Sequence, residues 1–130
     1  MAAPASRLRL ALAALALCVA SAPAICAGTA RPLLQTTLVA GLAHHEAREV
    51  WDQLRPGEPL SLEREPANPE DGNAVRVLWR GHLLGYLPRA DNADVARLMD
   101  RGQPLAARIR AVARYRNHRR KLEVDVLAGW

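Results

Sequence analysis

The fold is decided by a turn-rich stretch, Glu65-Pro66-Ala67-Asn68-Pro69-Glu70-Asp71-Gly72-Asn73-Ala74-Val75-Arg76-Val77. Its prolines and its glycine interrupt regular structure, and the short polar side chains of Asn68, Asp71 and Asn73 can bond to the neighbouring backbone. The alternating segments 60–65 and 74–79 on either side predict two strands joined by an ordered loop. The simplest interpretation of the three polar residues is that they lock a surface turn.

Patterns in the rest of the chain predict four more strands and up to two helices. Apolar and β-branched residues or strict alternation mark strands at 36–42, 83–87, 105–115 and 122–126. Helical spacing indicates a short helix or turn within 44–54 and a helix from Asp91 or Asn92 to Arg101. Gly85 inside a strand predicts a bulge or a close approach of another backbone. The fold class expected is mainly β (α+β), a small, partly open β-barrel of about six strands, SH3-like or OB-like.

The first thirty residues have the pattern of a secretory signal. Arg7 and Arg9 precede an apolar run over 10–20, and small residues follow at 21–24. We expect a signal peptide with its helix over 1–27, cut after Ala24 or near Ala27, then a leader over 28–36 and the domain over 37–130. The product would be periplasmic or secreted, with no membrane span after cleavage. The alternative is an uncleaved membrane anchor, although the run is shorter than the roughly 20 residues that a span needs.

The positions of the cysteines and histidines limit the metal sites that the chain could form. Cys18 would leave with the signal and Cys26 lies at its edge, so no disulfide within the domain and no cysteine zinc site are expected. His44 and His45 are weak metal candidates, because adjacent residues on a strand point to opposite faces and at most one would fit a given site. We expect no cofactor, and zinc is the less favoured alternative.

Positive charge is concentrated near the C-terminus. Residues 31–100 hold 8 basic and 11 acidic residues, whereas residues 101–130 hold 8 basic and 2 acidic residues. Alternation in the strand at 105–115 predicts that alternate apolar residues, Leu105, Ala107, Ile109, Ala111 and Ala113, face inward. It predicts that Arg108, Arg110, Arg114 and Arg116 share the outer face, with Arg119, Arg120 and Lys121 added by the hairpin. Such a surface favours an anionic polymer, with binding that weakens as salt rises, and Tyr115 and His118 could stack on bases. The alternatives are a solvated basic face or contact with anionic lipid or the envelope surface.

Two linked motifs carry a family resemblance. Asn-Pro-x-Asp-x-Asn-Ala-Val at 68–75 is followed by Gly-His-Leu-Leu-Gly-Tyr-Leu-Pro-Arg at 81–89. In order and spacing they resemble the HIRAN domain, over residues 38–126. That family occurs fused to SWI/SNF-type DNA-dependent ATPases and as short stand-alone bacterial proteins. Characterised members grip the 3′ end of single-stranded DNA, with an aspartate that accepts a hydrogen bond from the terminal hydroxyl and aromatic rings that stack the last bases.

The resemblance implies a DNA-end pocket in this chain, with four matching positions and some departures. Asn68 and Asp71 match polar positions of that pocket, Arg89 stands where a basic residue can face phosphate, and Tyr86 lies beside it. The departures are Ala43 in place of an arginine, His44 and His45 in place of tyrosines, and Glu70 in place of an aromatic residue.

Three functions remain open at this point. The first is a non-catalytic module that binds single-stranded nucleic acid or another anionic polymer, with no nucleotide cofactor, since residues 28–130 lack a Gly-rich loop ending in Gly-Lys-Ser/Thr. The second is an exported envelope interaction module, with an envelope protein as partner, that keeps the fold and has lost end binding. The third is a zinc-binding or hydrolase-associated module, supported only by the histidines.

Overall fold

The computed structural model describes residues 31–129, so the predicted signal peptide and its helix lie outside the described residues. The six strands are β1 (Leu33–Leu38), β2 (Pro59–Arg64), β3 (Val75–Trp79), β4 (His82–Tyr86), β5 (Leu105–Arg114) and β6 (Arg120–Ala128). The helices are α1 (Ala47–Val50), which is flanked by the 3-10 turns Leu42–His44 and Trp51–Gln53, and α2 (Ala93–Asp100). The predicted mainly β fold with six strands and two short helices is confirmed. Within residues 31–129, neither helix has the length and apolar character needed to cross a bilayer.

The strands form one antiparallel sheet that curls into a half-barrel. Their order across the sheet is β1-β6-β5-β2-β3-β4, so β1 and β4 are its edges. The chain that follows β1 reaches the far edge, where Ala40 and Tyr86 exchange backbone hydrogen bonds of 2.8 and 3.0 Å. A Cβ on Gly85 would lie 2.2 Å from the carbonyl oxygen of Ala40. The close backbone approach predicted for Gly85 is therefore confirmed, and it joins the connection after β1 to the edge strand β4.

The core fills the concave side of this sheet. Alternate residues of β3 and β6 are fully buried, including Val75, Val77, Leu122 and Val124. The helical segment around α1 adds buried side chains from the connection between β1 and β2, and α2 adds Val95. Burying one such aliphatic side chain contributes about 1.5–3 kcal/mol, so this cluster makes a large contribution to the stability of residues 31–129, which contain no cysteine.

The N-terminal boundary of the domain differs from the prediction. β1 begins at Leu33 and pairs with β6, so residues 33–36 belong to the sheet and not to a leader. β1 also ends at Leu38, short of the predicted 42, because Gly41 adopts a left-handed φ of 77° and turns the chain into a 3-10 turn. The helix predicted from Asp91 or Asn92 to Arg101 is confirmed as α2.

A bulge in β5 overturns the predicted single face of arginines. The register shifts between Ile109 and Ala111, and beyond it Val112 packs on the core opposite Leu122. The inward positions predicted for Ala111 and Ala113 are therefore wrong. Because side chains alternate along a strand, the bulge places Arg114 on the side opposite to Arg108. Arg116 lies beyond the strand in the hairpin turn.

Candidate nucleic-acid interface

The two sequence motifs meet at a pocket of about 450 Å³, here named the loop pocket. Three segments form it: the 65–74 loop, the end of β4 with the residues after it, and the connection that follows β1. Its lining residues are Ala40, His45, Asn68, Pro69, Glu70, Asp71, Ala74, Tyr86, Leu87 and Arg89. The structure therefore brings together all four pocket residues implied by the resemblance.

Asn68 holds the loop in shape. Its Oδ1 accepts hydrogen bonds from the backbone N–H groups of Glu70 at 2.9 Å and Asp71 at 3.2 Å. Arg64 reinforces the same loop by donating to the carbonyl oxygens of Gly72 and Ala74. The turn-locking interpretation is confirmed for Asn68, whose oxygen is committed to the protein's own backbone.

Asp71 presents an ionised carboxylate to the pocket. Its Oδ1 accepts the backbone N–H of Asn73 at 3.0 Å, and its Oδ2 accepts the side-chain Nδ2 of Asn92 at 2.7 Å. These two hydrogen bonds, in that order, lower the pKa of Asp71, and the charges of Arg89 and Arg64 lower it further. At neutral pH the group is therefore an acceptor only.

The sequence predicts Asn92 only as a possible helix cap and gives no signal of its contact with Asp71. Asn92 precedes α2, yet its side chain makes no capping bond; it is fully buried and turns toward Asp71. The two residues are 21 positions apart, and no local pattern connects them. The contact depends on how α2 packs beside the loop.

Tyr86 and His45 form the aromatic wall of the loop pocket. The Tyr86 hydroxyl donates to Glu65 Oε2 at 2.7 Å, which raises the pKa of Tyr86 and keeps it protonated. The rings of Tyr86 and His45 meet edge to face, with centroids 5.4 Å apart and planes at 61°. His45, predicted as a weak metal candidate, thus lies beside a position where stacking on a base is expected.

Arg89 supplies the only guanidinium of this lining. It is exposed, and its Nη2 donates to the carbonyl oxygen of Glu70. Glu70 and Asp71 contribute two carboxylates against this one guanidinium. The loop pocket therefore suits a hydrogen-bond donor such as a hydroxyl better than a phosphate.

The predicted arginine face is divided. Arg108 Nε lies 3.2 Å from Asp125 Oδ2 and Arg110 Nη1 lies 3.5 Å from Oδ1, so both arginines neutralise a carboxylate that is 2% exposed. Arg114 lies 3.8 Å from Asp52 on the other side of the sheet, and Arg116 is exposed in the turn. Arg108 and Arg110 are thus already engaged in holding the sheet.

The pKa of Asp125 reflects this balance. Burial alone would raise it, but a 2.7 Å hydrogen bond from Thr36 and the two arginines outweigh burial, so the pKa lies below the usual aspartate range. The carboxylate connects β1, β5 and β6 through these contacts.

The two candidate metal residues, His44 and His45, line one pocket together with Glu46 and Glu49. His45 also lines the loop pocket, and His44 also lines a pocket beside the β5–β6 hairpin. Among residues 31–129, no three histidine, cysteine, aspartate or glutamate side chains are grouped as metal ligands would be.

Comparison with known proteins places this arrangement among described folds. The family model of the HIRAN domain matches residues 33–128. A solved protein from Lactobacillus plantarum superposes with a TM-score of 0.63 at 30% identity, covering 75% of this chain and 95% of that one. The HIRAN domain of human HLTF superposes with a TM-score of 0.58 at 21% identity, over 72% of this chain and 73% of that one, which is a likeness of fold.

One curated protein shares a shorter region. The Fanconi-associated nuclease 1 homolog of Oryza sativa subsp. japonica is 38% identical over 69 residues. The matched region spans 50% of this chain and 7% of the nuclease homolog.

Proposed function

Because this chain belongs to the HIRAN domain family, we propose that it is a non-catalytic nucleic-acid-binding module that grips the 3′ end of a single strand. The observation that carries the proposal is the loop pocket, where an ionised carboxylate, two aromatic rings and one guanidinium converge. The 69 residues shared with the nuclease homolog are 7% of that protein, so we carry no nuclease activity over to this chain.

The chemistry of Asp71 supports recognition of a hydroxyl end. Each of its oxygens accepts one protein hydrogen bond, and a carboxylate oxygen can accept two. A terminal 3′ hydroxyl could donate to a remaining lone pair. A terminal 3′ phosphate could not donate in its ionised form, and Asp71 and Glu70 would repel it.

The test compares two oligonucleotides that differ only at the 3′ end, one with a free hydroxyl and one with a phosphate. We expect the phosphate-ended strand to bind about tenfold more weakly in fluorescence anisotropy, which corresponds to about 1.4 kcal/mol. Equal binding of both ends would overturn the end grip and favour the alternative of an envelope interaction module that keeps the fold.

A pair of tyrosine variants assigns the preference to the loop pocket. Tyr86→Ala removes a ring whose stacking on a base is worth about 1–3 kcal/mol, so binding should weaken and the preference for a free end should disappear. Tyr115→Ala is the matched control, because Tyr115 is 50% exposed near the hairpin and lies outside the loop pocket. Circular dichroism of both variants verifies that they remain folded. If Tyr115→Ala abolished the preference for a free 3′ hydroxyl and Tyr86→Ala did not, the binding site would lie outside the loop pocket.

The metal alternative has a separate test. We propose that no cofactor is needed, and metal analysis of the purified protein after dialysis should find no stoichiometric zinc. One zinc per chain would reinstate the zinc-binding module, and oligonucleotide binding that is lost with a chelator would tie the metal to function.

We further propose that the protein is exported, which makes extracellular DNA or another anionic polymer the ligand to examine. The pattern at residues 7–24 supports cleavage near Ala24 or Ala27. Intact-mass measurement of the protein from an exported fraction should give an N-terminus within residues 24–28. Retention of Met1 or Ala2 in that fraction would contradict cleavage and favour a membrane anchor.

A further inference from the structure

A second pocket, here named the hairpin groove, lies between the connection after β1 and the tip of the β5–β6 hairpin. Its volume is about 410 Å³. The lining residues are Val39, Gly41, Leu42, Ala43, His44, Asn117, His118, Arg119 and Arg120. Val39 and Leu42 are buried and give it an apolar part, while the histidines and arginines give it a polar one.

The charge of the hairpin groove is uncompensated. No aspartate or glutamate lines it. Arg119 and Arg120 take part in no ion pair within residues 31–129, in contrast to Arg108 and Arg110.

The Nε of Arg120 is buried and meets no acceptor in the described part of the chain, and its guanidinium lies 5.7 Å from the ring centroid of Trp51. A buried donor without a partner is unfavourable, so an anionic oxygen that reached it would be stabilised.

The hairpin tip that carries these residues is held by its own hydrogen bonds. The N–H of Tyr115 donates to the carbonyl of Arg119 at 2.8 Å, and the N–H of His118 donates to the carbonyl of Tyr115 at 3.0 Å. His118 adopts a left-handed φ of 62°, and Asn117 Oδ1 accepts the N–H of Arg119 at 3.2 Å. The backbone is therefore closed into a defined turn, which limits the directions of its basic side chains.

The hairpin groove and the loop pocket lie on two sides of one short connection. Ala40 and His45 line the loop pocket, whereas the intervening residues 41–44 line the hairpin groove. Their charges are complementary: the loop pocket has two carboxylates and one guanidinium, and the groove has two guanidiniums and no carboxylate. A nucleic-acid strand that ends in a hydroxyl has the same division, since its end is uncharged and the backbone leading to it is anionic.

We propose that the hairpin groove binds a backbone phosphate of the strand whose 3′ end occupies the loop pocket. The proposal rests on the proposed function and extends it, because it sets the path of the strand across the 41–44 connection toward the hairpin. It assigns a binding role to Arg119 and Arg120 in place of the arginine face that the β5 bulge divides.

The experiment measures binding of oligothymidylates with free 3′ hydroxyls and lengths from two to eight nucleotides. The variant is Arg119→Gln, since Arg119 is exposed and makes no side-chain hydrogen bond or ion pair within the described residues. The matched control is Arg101→Gln, which removes the same charge at the end of α2, outside both pockets.

We expect Arg119→Gln to change the affinity for the shortest strand by less than twofold and to weaken the affinity for the longest strand about three- to tenfold. The slope of log K against log salt for the longest strand should fall in magnitude by about 0.7, as for one lost phosphate contact. The control should change none of these.

The outcomes separate this inference from the end grip. If free ends remain preferred and Arg119→Gln behaves like the control at every length, the groove assignment is overturned and the end grip stands. If the preference for free ends is absent and Arg119→Gln still weakens only long strands, the end grip is overturned together with the strand path that rests on it, and only phosphate binding by the groove is retained. Equal weakening of oligothymidylate binding at all lengths would overturn the groove assignment. So would a result in which Arg119→Gln weakens binding to phosphatidylglycerol vesicles and leaves oligothymidylate binding unchanged.

Discussion

At the scale of single residues, the loop pocket depends on a side chain that does not line it. Asn92 holds Asp71 by a 2.7 Å hydrogen bond from a fully buried position, and its own Oδ1 has no partner among the described residues. The bond fixes the direction of the Asp71 carboxylate and contributes to its lowered pKa. Asn92 is therefore a positioning residue for the proposed hydroxyl acceptor.

Asn92→Ala should destabilise the protein and release Asp71. Loss of a hydrogen bond to a charged group predicts a decrease of about 1–3 kcal/mol in the free energy of unfolding. The pKa of Asp71 should rise toward its usual value, because one of the bonds that stabilise its charged form is gone. Denaturant unfolding and an NMR titration of the carboxyl carbon measure the two effects. Asn73→Ala is the control, since only the backbone N–H of Asn73 bonds to Asp71; an equal effect there would contradict the role of Asn92.

At the scale of elements, the connection after β1 joins the edge strand β4 at one residue pair. Gly85 in β4 leaves room for the carbonyl of Ala40, and the exchange of hydrogen bonds between Ala40 and Tyr86 follows. The same contact sets the ring of Tyr86 beside His45. Tyr86 thus takes part both in the backbone contact that joins β4 to the connection after β1 and in the wall of the loop pocket.

Gly85→Ala should therefore open the sheet at this point. The added methyl group would lie 2.2 Å from a backbone oxygen, which cannot move aside as a flexible side chain does. We expect a loss of about 2–4 kcal/mol in the free energy of unfolding, within the range for overpacking and lost backbone bonds. Faster amide exchange of Ala40 and Tyr86 would report the opened pair. Gly72→Ala is the matched control, because nothing lies within 4 Å of a Cβ there; a similar loss in both variants would contradict the closure argument.

At the scale of the whole molecule, three aspartates with lowered pKa values tie separate parts together. Asp71 holds the loop, Asp100 of α2 is bonded by Arg64 at 2.8 Å, and Asp125 joins β1, β5 and β6. A carboxyl whose pKa is lower in the folded than in the unfolded protein stabilises the fold at pH values above the unfolded value. That contribution is lost as the pH falls through the folded value.

The protein should accordingly lose stability as the pH drops below about 4, the ordinary aspartate range. Asp125→Asn should lower the free energy of unfolding by about 1–3 kcal/mol at pH 7, because Arg108 and Arg110 lose a charged acceptor. The difference in the free energy of unfolding between the variant and the parent protein should shrink as the pH falls and Asp125 of the parent becomes protonated. Thermal unfolding across pH 2–7 measures this, with the exposed Asp94→Asn as control, expected within about 0.5 kcal/mol. A difference that persists unchanged at low pH would show that shape, not charge, is responsible.

Local patterns in the chain were enough to predict six strands, the ordered loop and α2, because alternation, turn residues and helical spacing act over a few neighbouring positions. The family resemblance of two motifs implied Asn68, Asp71, Tyr86 and Arg89 as pocket residues, and the structure brings these four together. Three features became visible only in the folded protein: Asn92 orients Asp71, a bulge divides the arginines, and residues 33–36 belong to the sheet. Those outcomes depend on contacts between distant segments and on a one-residue shift of register, and neither leaves a periodic signal in the chain.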